Sequence, residues 1–157
     1  MDDESKKAWF QKEFEKIKDL IKDEDSLSHY NFLRIRNYKL NTITTEPEEN
    51  IPVKTKKAFE LAKKGEIKNA IEELISINEV GIPIASAILA MRFPEEYAII
   101  DKNVIEELGK NEWLKSYKNS PETYLKYLEL LRKKAEENGM CLRDYERSLF
   151  EKHKWGT

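Results

Sequence analysis

The sequence predicts an all-helical fold, and three observations carry that prediction. Apolar residues recur at three- and four-residue intervals through most of the 157 positions. No run alternates apolar and polar residues as a half-buried strand requires. Lys and Glu are abundant, while five Gly and five Pro leave few breakers. About eight helices are expected around a central helix-hairpin-helix, in one domain spanning 1–157 or in two lobes sharing a core, 25–98 as one and 1–24 with 99–157 as the other.

The first helix is expected from about Glu4 to Lys22, where Phe10, Phe14, Ile17 and Ile21 share one face. Asp25-Ser26 caps a second helix through Leu27 to Arg36, with its basic residues late. Asn41 to Pro52 reads as loop, because Thr44-Thr45-Glu46-Pro47 and Ile51-Pro52 are turn-like. Helical patterning resumes at Lys54 and stops at Gly65. Ile67, Ala70, Ile71, Leu74 and Ile75 form the apolar face of the next helix.

A break at Ile77 to Gly81 separates that helix from Pro83 to Met91, which is apolar nearly all round and so predicted to be buried. Pro83 suits a first turn, where a missing amide costs nothing. After a turn at Phe93 to Tyr97, Ala98-Ile99-Ile100 is a short apolar connector, and Asp101 is placed to cap a helix from Lys102 to Leu108. Ser120-Pro121-Glu122 opens a long helix that Asn138-Gly139 ends, and a last helix runs from Leu142 to about Lys152.

Composition narrows the function classes. The net charge of −2 means that any nucleic-acid surface must be a local patch. A single cysteine, Cys141, excludes an internal disulfide and a cysteine-ligated cluster. His29 and His153 are too few and too isolated for a metal site, so neither metal nor other cofactor is expected. No apolar run approaches the roughly 20 residues of a spanning helix, and the acidic start Met1-Asp2-Asp3-Glu4 does not read as a signal peptide. A cytoplasmic protein with no membrane partner is the expectation; the sequence leaves its oligomeric state undetermined.

The most informative stretch is Leu74 to Leu89. Two apolar helices joined by so short a bend must pack on each other at once, with Ala85 and Ala87 keeping the seam thin. The bend is expected to leave the first amides of the second helix facing outward, a ready anion site. This stretch resembles the helix-hairpin-helix motif, whose bend reads Gly-hydrophobic-Gly before a helix with an early Ala. Val80, Gly81 and Ala85 match, and Glu79 stands where the first Gly belongs. Asp101 follows Pro83 by 18 residues, an interval similar to that between hairpin and essential Asp in base-excision DNA glycosylases of the endonuclease III type. The resemblance covers about Ile67 to Leu108 and extends to small members of that superfamily through Ala85 to Leu89, Tyr97 to Asp101 and Leu142 to Leu149.

The resemblance implies a protein that holds double-stranded DNA by its phosphates through the hairpin, extrudes one nucleotide and cleaves its glycosidic bond, with Asp101 in the catalytic role. Pro83 occupies the place of the nucleophilic Lys of bifunctional members, so a monofunctional glycosylase without lyase activity is implied. The alternative is a catalytically inactive module of the same fold that binds DNA or protein. The expected DNA-binding positions are Val80, Gly81, Ile82 and Ile84 at the bend, with Arg36 and Lys39 on the second helix.

Each candidate also has a plainer role. Asp101 serves as an ordinary N-cap, and Val80-Gly81-Ile82 as a packing turn. Arg34, Arg36 and Lys39, and the clusters Lys54-Lys56-Lys57 and Lys63-Lys64, read equally as solvated faces. Trp9, Trp113 and Trp155 read as packing anchors, and Arg143 and Arg147 with Asp144 and Glu146 as a buried ionic network joining the lobes.

Overall fold

A computed structural model describes residues 2–39 and 44–156. Among these residues it shows eight α-helices and no strand. They are α1 (Asp3–Ile21), α2 (His29–Lys39), α3 (Asn50–Lys63), α4 (Ile67–Ile75), α5 (Ile82–Arg92), α6 (Lys102–Glu107), α7 (Pro121–Glu137) and α8 (Leu142–Trp155), with a short 3-10 helix at Asn111–Lys115 between α6 and α7. None is long and apolar enough to cross a membrane. Positions 41–43 of the expected loop lie outside the described residues.

Capping explains most of the starts. Asp2, Asp101 and Ser120 each accept a backbone N–H with their side chains at the heads of α1, α6 and α7. The head of α2 departs from expectation: Ser28, not Ser26, accepts from the Asn31 amide at 3.1 Å. Leu27 stays outside the helix, fully buried, with its N–H given to Thr55 Oγ1 at 2.8 Å. α3 begins at Asn50, earlier than its apolar pattern suggests, because Pro52 is tolerated in a first turn and Ile51 is already core. Gly65 and Gly139 adopt φ +78° and +63° just past α3 and α7, a left-handed conformation that glycine takes without steric cost.

α5 is the centre of the molecule. Every residue from Ile84 to Met91 is buried, as an all-round apolar sequence requires. α1, α2 and α4 pack on it. α3 pairs with α4, α7 bridges α4 and α8, and α8 also packs on α6. α1 lies directly on α2 and α5 and reaches α8 through side chains: Gln11 Nε2 donates to Glu151 at 2.6 Å, and Lys7 pairs with the same carboxylate at 3.5 Å. Polar side chains thus tie α1 to α8 beside the aromatic contact of Phe10 with Trp155, whose ring centroids lie 6.3 Å apart.

Candidate functional site

Residues 98–100 link α5 to α6 outside any helix or strand, so their backbone groups need other partners. Side chains from three helices supply them. Tyr124 and Tyr127 of α7 donate to the carbonyls of Ala98 and Ile99 at 2.9 and 2.6 Å. Ser86 Oγ of α5 accepts the Ile100 amide at 3.0 Å, and Glu146 of α8 accepts the Ile99 amide at 3.3 Å. All four side chains are buried. Leaving any of these groups unpaired costs about 1–3 kcal/mol, so the connector is fixed in one path, and that path delivers Asp101.

Asp101 caps α6 through Oδ1, which accepts the Asn103 backbone and side-chain N–H groups, each at 2.8 Å. Its Oδ2 accepts from Lys39 Nζ at 3.1 Å. Burial pushes the carboxyl pKa up, but the Lys39 charge and the Asn103 hydrogen bonds outweigh it, and the net displacement is below the ordinary aspartate value. The carboxylate stays ionised and, with its side chain 19% exposed, reaches open space.

That space is a recess of about 340 Å³. Gly81, Pro83 and Ile84 of the hairpin bend form one side of it, Asp101 and Asn103 another, and the exposed Lys102 and Lys118 also line it. Among the described residues neither of these two lysines forms an ion pair. The bend itself is tightly specified. Glu79 takes φ +61°, the left-handed conformation that glycine adopts at least cost. Its carbonyl accepts from Arg36 at 2.7 Å. Its carboxylate turns toward Thr45, accepting the amide at 2.5 Å and the hydroxyl at 3.0 Å, and these bonds hold its pKa below the glutamate range despite some desolvation.

A second, smaller groove of about 110 Å³ lies on the other side of Asp101, between α1 and α8. Phe10, Tyr38, Phe150 and Trp155 line it, and Lys39, Arg143 and Glu146 stand with Asp101 among its polar groups. Arg143 binds both Glu146 oxygens at 3.1 and 3.2 Å and stacks 3.8 Å above the Phe14 ring. Burial pushes Glu146 above its ordinary pKa although Arg143 and Lys39 oppose that. Of the buried ionic network expected of the last helix only the Arg143–Glu146 pair is buried; Arg147 and Asp144 pair at 3.3 Å in an exposed position. Lys39 and Asp101 line both spaces.

No family model, curated protein or solved structure matches this chain. The site rests on its own geometry.

The structure brings Gly81, Lys39 and Asp101 together around one recess, and it corrects the expected DNA-binding set in three respects. Val80, Ile82 and Ile84 are buried, so their side chains belong to the core rather than to an exposed contact surface. Arg36 is 1% exposed and serves the bend from inside rather than a surface patch. Arg34 is paired to Glu13 at 2.7 Å, so the basic run of α2 offers no continuous face. The expected free amides are also reduced: the Ile82 N–H donates to the Lys118 carbonyl at 3.1 Å, and Pro83 has none. What the sequence did not reveal is that Ser86, Tyr124, Tyr127 and Glu146, on three helices far apart in sequence, converge on the connector, nor that Lys102 and Lys118 line one recess. Buried polar residues inside apolar helical faces were the available signal for the first four.

Proposed function

We propose that this protein binds duplex DNA at the recess between the hairpin bend and Asp101, and that Asp101 there supports hydrolysis of an N-glycosidic bond in the manner of a monofunctional base-excision glycosylase. The observation that carries the proposal is that the bend and an ionised carboxylate line one recess. Lys102 and Lys118 supply the local positive charge that a chain of net charge −2 needs for phosphate contact. In the reaction the C1′–N bond breaks, the base leaves with the bonding pair and takes up a proton, and water adds its hydroxyl to C1′. A carboxylate beside C1′ stabilises the positive charge that develops on the sugar. Pro83 gives the hairpin no amine, so it contributes no Schiff-base nucleophile.

Excision on a panel of lesion-bearing duplexes tests the enzymatic part. Base release from at least one of them, lost in Asp101→Asn, is expected. Absence of product from every duplex, or unchanged release by the variant, removes it. A second reading, a catalytically inactive binding module, is favoured by two contacts: the Ile82 amide is already taken, and Asp101 is already engaged by Lys39 and Asn103. Duplex titration at low and high salt separates the two. Steep weakening with salt, without excision, identifies the module, and no binding even at low salt leaves a protein-interaction role.

A further inference from the structure

Four tyrosines are buried among the described residues, and three of them have their hydroxyls committed to the fold. Tyr97 donates to the Ala62 carbonyl at 3.0 Å, Tyr124 to Ala98 at 2.9 Å and Tyr127 to Ile99 at 2.6 Å. Tyr117, 8% exposed, is the exception. Its hydroxyl has no hydrogen-bond partner among the described residues, and its oxygen reaches open space. A tyrosine buried only for its ring gains nothing from that hydroxyl, since phenylalanine fills the same place without desolvating a polar group. The space in question is the recess that also holds Asp101 and the hairpin bend.

We propose that Tyr117 is a second catalytic residue of this recess, the acid that gives a proton to the leaving group as its bond to the sugar breaks. The proposal rests on the glycosidic-hydrolysis reading above and names the source of the proton that the base takes up. Asp101, being ionised, has none to give.

Tyr117 is held from both sides. Its amide donates to the Trp113 carbonyl at 2.9 Å, and the carbonyl of the next residue, Lys118, accepts the Ile82 amide at 3.1 Å. The hydroxyls of Ser116 and Thr123 bond at 2.7 Å. The chain around Tyr117 is thus tied both to the bend and to α7. Gly81 permits the close approach, because a Cβ there would stand 3.3 Å from the Lys118 carbonyl oxygen. A donor fixed before the substrate arrives needs no reorganisation when charge moves. Burial pushes the hydroxyl above the ordinary tyrosine pKa, and Asp101 and Glu106 push the same way, so it keeps its proton at neutral pH.

The step balances. As the C1′–N pair moves onto the base, the Tyr117 proton passes to the base nitrogen or to a ring oxygen conjugated with it. Asp101 faces the positive charge that develops at C1′. Water then adds its hydroxyl to C1′, and its other proton restores the phenol. The sum is one water divided between sugar and base.

Single-turnover excision by Tyr117→Phe on two classes of duplex tests the assignment. In one class the target base is neutral; in the other it is already cationic through ring alkylation and departs without a proton. The substitution keeps the ring and breaks no hydrogen bond among the described residues, so the urea midpoint and duplex affinity should match the parent. Release of neutral bases should fall by about 100-fold or more, the scale of general acid catalysis. Release of cationic bases, wherever the parent achieves it, should hold. An equal fall for both classes, a fall accompanied by lost duplex affinity, or no fall at all overturns the proposal and leaves the glycosylase. So does a parent that releases cationic bases alone. A parent that releases no base of either class removes the glycosylase and, with it, this role for Tyr117.

Discussion

Asp101 and Glu146 face a common cation, yet their environments push them in opposite directions. Burial raises both; at Asp101 the Lys39 charge and two Asn103 hydrogen bonds prevail, while at Glu146 burial prevails over Arg143 and Lys39. The two carboxyls should therefore release their protons in the order Asp101 then Glu146 as pH rises, reversing the small ordinary difference in neither case but widening it. The stability consequences have opposite signs. Asp101 contributes stability that is present above its unfolded pKa and lost as pH falls through its depressed folded value. Glu146 contributes stability that is complete below its unfolded pKa and lost as pH rises through its elevated folded value. Carboxyl carbon shifts followed by NMR through the acid range check this: Asp101 should titrate below the usual aspartate range and Glu146 above the usual glutamate range, and coincident ordinary titrations would sink the account. Substitution at Asp101 separates its cap from its charge. Asp101→Asn keeps a side-chain acceptor for the Asn103 amide, whereas Asp101→Ala loses the cap, worth about 1 kcal/mol, and also the acceptor facing Lys39. Urea unfolding should find the alanine variant the less stable of the two.

At the scale of elements, the connector 98–100 and the hairpin bend are the two pieces of irregular chain that shape the site, and each is held by side chains from elsewhere. Tyr127→Phe removes the donor to the buried Ile99 carbonyl without changing the ring packing, so a loss of about 1–3 kcal/mol is expected. A change under 0.5 kcal/mol in denaturant unfolding would mean the connector does not depend on that bond. The bend carries a different tension. Glu79→Gly relieves a left-handed backbone and gives up exposed hydrogen bonds to Thr45, effects of opposite sign, so the urea midpoint should stay close to that of the parent. Duplex affinity should rise, because a carboxylate bordering the recess is gone; unchanged affinity would place the phosphates elsewhere. These two pieces also show what sequence could and could not reveal. The eight helices were legible because apolar spacing, caps at Asp101 and Ser120 and stops at Gly65 and Gly139 are local signals. The start of α3 was not, since Ile51 and Pro52 look like loop until the core around them is known. Arg36 looked like surface for the same reason: nothing local announces that a carbonyl 43 positions later, at Glu79, will need its guanidinium.

On the scale of the whole molecule, charge placement matters more than charge total. With 30 acidic and 28 basic residues, the chain as a whole does not attract a polyanion, and several of its cations are spent on neighbours: Arg34 on Glu13, Lys54 on Glu46, Lys68 on Glu122, Arg147 on Asp144. The segment from α6 to the head of α7 is arranged otherwise. Lys102 and Lys118 stand exposed beside the recess without acidic partners among the described residues. A duplex bound there should touch few phosphates. With two or three contacts, the logarithm of affinity should fall against the logarithm of salt with a slope of about −2 to −3, at close to 0.9 per phosphate. Lys102→Glu and Lys118→Glu should each flatten that slope by about one, whereas Lys57→Glu, on the far-off α3 where Lys57 already pairs with Glu73, should leave it alone. Equal effects from all three substitutions would mean that the long-range field of the molecule, rather than this recess, governs its approach to DNA.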